Sequence, residues 1–386
     1  MSPPRPLAPA FHAAARDRLR ARAARAGLDG LLLTHAANIA YATGLFLSAG
    51  ERPMAVWLPV EGEPILFMPG LERENAEGTG IADLRCYDEF PGPVPAILWM
   101  LDEIGRRRVG IDQLKARLLD AARARTEALD LADHGMAERI VKQPEELALT
   151  RVAATYADLF LRRLHAAAAD IIGQGGTEQD LMDDAMAHAK GALTRTHRDA
   201  FAGTPMGITA TVHSGPRAAL PHGATLPRMP QPGETLIAGI GASLGGYHAE
   251  SGATFVLGEP DAEQRHVMQA MEECDAAAQE ALAAGQSCEE IDRAALDRLR
   301  AAGLSDAIRH RIGHGMGLQG HEAPWLAPGD ATPTGPGMVF SSEPGVYRPG
   351  RDGWRSINTM IATEAGVEIP SRFLADTPIG ARVIAL

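Results

Sequence analysis

The sequence has little cysteine, no long apolar run and no excess of basic charge, and each shortage excludes something. Three cysteines in 386 residues, Cys86, Cys274 and Cys288, are too few and too scattered for a disulfide framework or a zinc knuckle. They suit a reducing cytoplasm, which is the expected location. No stretch of about 18 apolar residues occurs, so no segment reads as a membrane span. The formal net charge of −12 argues against a nucleic-acid binder. The Arg- and Ala-rich start has no apolar signal-peptide core, and it reads as a Pro-rich lead followed by a surface helix that ends at Gly27. What is present is an ordinary share of apolar residues, 45%, enough for a large core in one or two domains.

The pattern along the chain is α/β. "LDGLLLTHAANIAYATG" reads as a buried strand and a helical turn, and "RPMAVWLPVEGEPILFM" as a hairpin turning at Glu61-Gly62. "PGLERENAEG" is expected to be helical, and "RRVGID" to be a strand. These elements make a small α/β domain over residues 1–143. Pro144, Glu145 and Glu146 form a favourable first helical turn, so a second domain is placed at 144–386. It carries a faint repeat. Thr177 with Asp180, and Ser287 with Glu290, both match a helix-capping pattern, and the two lie 110 residues apart.

The stretch "ETLIAGIGASLGGYHAESGATF" resembles a phosphate-cradling glycine loop, but its glycines lead into a second strand-like run. A nucleotide loop needs a helix N-terminus there, so the segment reads as a hairpin turning at Gly245-Gly246. Four segments concentrate histidine and carboxylate: "TVHSGPRAALPHG" (His213, His222), "GGYHAESGATF" (His248, Glu250), "RIGHGMGLQGHEAPW" (His314, His321, Glu322) and "VFSSEPGVY" (Glu343). One such segment would be unremarkable; four in one domain point to a site. Gly313, Gly315 and Gly317 are expected to clear space for a ligand beside His314. His248 and Glu250, two apart on a strand, should share a face.

"ALPHG", "GHGMGLQGHEAP" and "VFSSEPGVY", in this order, resemble the M24 peptidase family of aminopeptidase P, prolidase, methionine aminopeptidase and creatinase. The resemblance implies a creatinase-type N-terminal domain before a pseudo-symmetric pita-bread catalytic domain, and a homodimer acting on a small molecule. It also implies two metal ions held by two Asp, one His and two Glu. At the matching positions this chain has Gly239, Glu250, His314, Glu343 and Ile357, the last followed by Asn358. Two positions therefore have no ligand atom. Creatinase, which lacks metal, sets the leading expectation: a metal-free hydrolase cleaving a C–N bond in a small amidic or amidine compound of the creatine or ectoine type. Its catalytic residues would be His222 as proton shuttle, Glu250 and Glu343 as a carboxylate pair, and His314 and His321 as donors to developing charge. His213, His248 and Arg355 would bind substrate, although Arg355 could instead pair with a surface acid. The alternatives are a Xaa-Pro aminopeptidase or dipeptidase holding one Mn, Zn or Fe ion at Glu250, His314 and Glu343, and an inactive binding protein on the same fold. Glu51-Arg52 would reach a partner's site or form a local ion pair.

Overall fold

The structure, a computed structural model, describes residues 4–47, 50–88 and 94–386. It contains two compact units, Pro6–Arg139 and Ile140–Leu386, so the chain divides within a few residues of the Pro144 helix start.

The first unit holds a six-stranded sheet. Its strands are β1 (Gly30–Leu33), β2 (Ala55–Pro59), β3 (Ile65–Pro69), β4 (Asp83–Tyr87), β5 (Arg108–Ile111) and β6 (Ala128–Asp130), in the order β4-β3-β2-β1-β5-β6. β2 and β3 form the antiparallel hairpin that the alternation predicts, with Gly62 at φ +111° in the connection. The leading helix Pro9–Arg25 gives way to a left-handed Gly27. "PGLERENA" folds as a 3-10 helix, Gly70–Ala76, rather than an α-helix.

The second unit begins on the helix Pro144–Gly173, with Pro144 in its first turn and a capping box between Gln143 and Glu146. Helix Glu178–His197 follows, then β7 (Met206–Ser214), β8 (Thr235–Leu244) and β9 (Tyr247–Leu257). A second helix pair, Ala262–Ala283 and Cys288–Ala301, precedes β10 (Gly313–Gly315), β11 (Glu322–Leu326), β12 (Val339–Ser342), β13 (Gly345–Arg348), β14 (Asp352–Arg355), β15 (Ile357–Thr363), β16 (Gly366–Glu368) and β17 (Val383–Ile384). Both predicted capping boxes form, at Thr177/Asp180 and Ser287/Glu290, so the sequence repeat corresponds to two helix pairs that each lead into strands.

The nine-stranded sheet runs β11-β10-β12-β15-β9-β8-β7, with β16 on β15 and β17 on β9; β13 and β14 form a separate hairpin. The second helix pair packs Val267, Met271, Ile291 and Leu299 against Phe340 and Met360 of the sheet. Each such buried side chain contributes roughly 1.5–3 kcal/mol. The β8–β9 turn has Gly245 at φ +59° and Gly246 at φ +82°. Two left-handed residues make the tight turn whose twist matches a hairpin, and Leu244 pairs with Tyr247 across it.

Candidate active site

Strand alternation decides which side chains meet. Along β9, Glu250 lies opposite Gly241 of β8, and Gly252 lies opposite Gly239 of β8 and Ile357 of β15. The intervening Ser251 faces the other way, donating to Asp158 Oδ1 at 2.7 Å. Asn358 likewise faces the helix behind the sheet, where its amide donates to Asp275 Oδ2 at 2.6 Å. It therefore cannot replace the carboxylate missing at Ile357. On the site face, His314 of β10 pairs with Ser341 of β12, which pairs with Thr359 of β15. Ser341 Oγ donates to Glu250 Oε2 at 2.7 Å, and Thr359 Oγ1 donates to the Glu250 carbonyl at 2.7 Å, which fixes Glu250 at both ends. Glu343 follows directly on β12, at the strand end where the sequence places it.

Four groups converge. His314 Nε2 is 3.4 Å from Glu343 Oε1 and 3.7 Å from Glu250 Oε2. His321 Nε2 is 4.0 Å from Glu250 Oε1, and the two imidazole centroids are 3.9 Å apart. His314 Nδ1 is 3.1 Å from the Gly315 carbonyl, which assigns the proton to Nδ1 and leaves the lone pair on Nε2. That Nε2 is buried and makes no hydrogen bond of good geometry. A lone pair facing two carboxylates calls for a proton or a cation between them. Burial raises the Glu250 pKa, with Glu343 adding and His314 opposing. Burial also works against ionising Glu343, but His314 and then Arg355 outweigh it and hold the pKa below the usual range. His314 itself is raised, because Glu343 and Glu250 overcome its desolvation. The two carboxyls are thus pushed apart.

The residues fit one metal ion. Glu250, His314 and His321 offer ligand atoms all within 4.8 Å of one another. This trio differs in one member from the expected one: His321 joins it, and Glu343 lies beside it at His314. Gly239 and Ile357 offer no ligand atom for a second ion, and the space beside them is occupied. A Cβ at Gly239 would lie 2.6 Å from Arg355 Nη2 and 3.3 Å from Ile357 Cδ1, and a Cβ at Gly252 would lie 2.6 Å from Ile357 Cδ1. The space beside Gly239 holds a guanidinium and an isoleucine. Arg355 is only 8% exposed and donates from Nη1 to the Pro221 carbonyl at 3.0 Å, so it is not the partner of a surface acid.

A cavity opens on this centre, lined by His222, His310, His321, Glu343 and Arg355 together with Arg309 and Arg311. His213 is fully buried and absent from that wall. Neither ring nitrogen has a hydrogen-bond partner among the described residues, and burial, aided by Arg355 and Arg217, pushes its pKa down to about 4. His248 is also drawn below its ordinary pKa by burial, and it sits against Gly320 rather than in the cavity. The glycines around His314 have a different purpose from the one expected. A Cβ at Gly313 would meet the Ser341 carbonyl at 1.9 Å and one at Gly315 the Ala323 carbonyl at 2.6 Å, so close strand packing requires them, not ligand access. At Gly317 a Cβ would meet Glu322 Oε1 at 2.4 Å and Lys142 Cε at 2.8 Å. Those two residues form an ion pair of 3.0 Å whose side chains are 1% and 0% exposed, which fixes the turn that carries His321. Sequence reasoning missed Lys142. The available signal was that it is one of three lysines in an arginine-rich chain, placed just before the helix cap. In the first unit, Glu51 and Arg52 form a local ion pair of 2.9 Å.

Comparison with known proteins corrects the expected reaction. The chain is 33% identical to "Probable dipeptidase PepE" of Mycobacterium tuberculosis over 354 residues, covering 90% of each chain. It is 27% identical to "Xaa-Pro dipeptidase" of Lactobacillus helveticus over 355 residues, covering 88% of this chain and 91% of that one. The crystal structure of dipeptidase PepE from Mycobacterium ulcerans superposes with a TM-score of 0.83 at 27% identity, covering 99% of this chain and 100% of that one. Proteins matching at nearly full length are thus named as dipeptidases, and the creatinase-like reading, a metal-free hydrolase of small amidines, is overturned. That reading took two lost ligand positions as the mark of the metal-free branch, whereas the residues that remain include a group that could hold a metal ion. The model of metallopeptidase family M24 matches residues 149–364, and that of the creatinase/prolidase N-terminal domain matches 16–139. The chain belongs to metallopeptidase family M24, a hydrolase family, and has its pita-bread fold.

Proposed function

We propose that the protein is a dipeptidase of the Xaa-Pro type that works with a single divalent ion. The observation that carries this reading is the cluster of Glu250, His314 and His321, whose ligand atoms lie within 4.8 Å of one another, with Glu343 Oε1 3.4 Å from the buried His314 Nε2. The names of the relatives supply the substrate class. Glu250, His314 and His321 would hold the ion, with Glu343 beside them. Such an ion polarises a carbonyl and lowers the pKa of a water molecule.

The chain's own groups take the remaining duties. Glu343, 3.4 Å from His314 Nε2, accepts a proton from the attacking water. The water oxygen bonds to the carbonyl carbon, the C–N bond breaks, and the leaving nitrogen takes up a proton. His222, exposed on the cavity wall, delivers that proton. Arg309, Arg311 and Arg355 give the cavity the positive charge that receives a substrate carboxylate, in a chain that is acidic overall. His213 and His248 act indirectly, His213 beside Arg355 and His248 beside the Lys142–Glu322 turn. The three cysteines are free, which suits a reducing compartment.

The test is a panel of Xaa-Pro and other dipeptides assayed after chelation and after return of Mn, Zn, Co or Fe. Release of free amino acids that stops with chelator and returns with one ion is expected. Failure to cleave any dipeptide with any of the ions refutes the reading.

A further inference from the structure

The half of the centre that lacks ligand atoms is filled, and a cation fills it. Gly239 has no side chain, and the Arg355 guanidinium takes the space a side chain would use, with Nη2 at 2.6 Å from the Cβ position. A neutral residue could have packed there. Burying a guanidinium instead is unfavourable unless its charge is compensated. Its hydrogen bonding is partial: Nη1 donates to the Pro221 carbonyl and the guanidinium bonds to the Tyr347 hydroxyl, while the buried Nε has no partner among the described residues. The remaining compensation is electrostatic. Arg355 and Glu343 line one cavity, so the carboxylate lies in the field of the guanidinium. Ile357 packs over Gly239 and Gly252 on the other side, while the guanidinium remains part of the cavity wall.

We infer that Arg355 is the second cation of the centre: its guanidinium, lodged against Gly239, stands where a second metal ion would need ligands, and the protein works as one ion plus one fixed arginine. The inference rests on the one-ion reading above and adds to it a role for Gly239, whose missing side chain admits the guanidinium. An ammonium or guanidinium at this distance repels an incoming divalent ion while it stabilises negative charge forming on substrate oxygen. Removing the arginine therefore has opposite consequences for the two events. The ion binds more tightly, and turnover falls.

Calorimetric titration of the metal-stripped full chain with Mn²⁺ alone reads the first event without any substrate. For Arg355→Met, binding at least tenfold tighter than wild type is expected, with one ion per chain in both. Arg355→Lys keeps the charge and should stay near the wild-type affinity. Gly239→Ala leaves the arginine in the chain but drives its guanidinium out of place, and it should also tighten Mn²⁺ binding, which keeps the proposal testable if Arg355→Met does not fold. A merely structural arginine would give weaker or unchanged binding in these variants. That result overturns the proposal, as does a second ion bound by the wild type, or no binding by any of the four proteins. A wild type that binds no ion while Arg355→Met binds one also overturns it, because the centre would then not work as one ion plus one arginine. Because no dipeptide enters the titration, failure of the substrate reading shows separately, as an ion-loaded enzyme that cleaves no dipeptide.

Discussion

On one side of the centre, Glu250, His314, His321 and Glu343 bring together four groups able to hold a cation or exchange a proton. On the other, Gly239, Arg355 and Ile357 offer no ligand atom, and they are packed tightly enough that a single added carbon would clash. Gly239 and Ile357 lie opposite Gly252 in the same sheet, two residues of register from Glu250, and Arg355 reaches them from the separate β13–β14 hairpin. The difference teaches that this chain did not simply lose half a site. The ligand side keeps a buried cluster of imidazole and carboxylate groups that could hold an ion. The opposite side is finished protein, with its charge supplied by a side chain.

Substitutions on the two sides should therefore fail in different ways. The largest effect belongs to the ligand side: His314→Ala should weaken Mn²⁺ affinity by on the order of a hundredfold or more and abolish turnover, while leaving the fold intact, as read by calorimetry and circular dichroism. Next comes the support beneath His321. Lys142→Met would leave Glu322 buried without its cation, and a loss of about 3–5 kcal/mol in urea unfolding is expected. Loss of only a few tenths would show that the ion pair does not anchor that turn.

Behind the arginine, His213 provides a pH-dependent comparison. Its folded pKa, about 4, lies below the ordinary 6.5 because burial, Arg355 and Arg217 disfavour the charged ring. A depressed pKa means that the neutral ring's contribution is present above pH 6.5 and is lost as pH falls toward 4. The total is about 3 kcal/mol. In His213→Met the drop in stability between pH 7 and pH 4.5 should be smaller than in wild type by a large part of that amount; equal drops would sink this assignment. The smallest effect is on the filled side: Ile357→Val should cost about 0.5–1.5 kcal/mol of stability and leave Mn²⁺ affinity nearly unchanged, since the residue packs and does not ligate. A marked loss of affinity there would mean that the two sides are not separable.

Much of this arrangement was legible in the sequence because it depends on local chemistry. Pro144 with Glu145 and Glu146, Thr177 with Asp180, and Ser287 with Glu290 are short-range signals, and each fixes a helix start. Gly245-Gly246 fixes the hairpin register, which in turn puts Glu250 on the site face and Ser251 behind it. The gaps at Gly239 and Ile357 could be read, but what fills them could not. Arg355 reaches Gly239 across β9, and its burial depends on β14 and on the Pro221 loop. The glycines flanking His314 misled for a related reason: a missing side chain signals close approach, but the sequence does not say whether a ligand or a neighbouring strand approaches. His321 entered the ligand trio through a turn held by Lys142, almost two hundred residues away in the chain. The reaction itself was misjudged because broken ligand positions were weighed more heavily than the intact cluster beside them.

The central claim is that the ligand side binds one ion and the filled side binds none. Metal content per chain, measured by mass spectrometry on wild-type protein saturated with Mn²⁺ and freed of excess, tests it most directly. The account predicts one ion per chain; two ions per chain would contradict it.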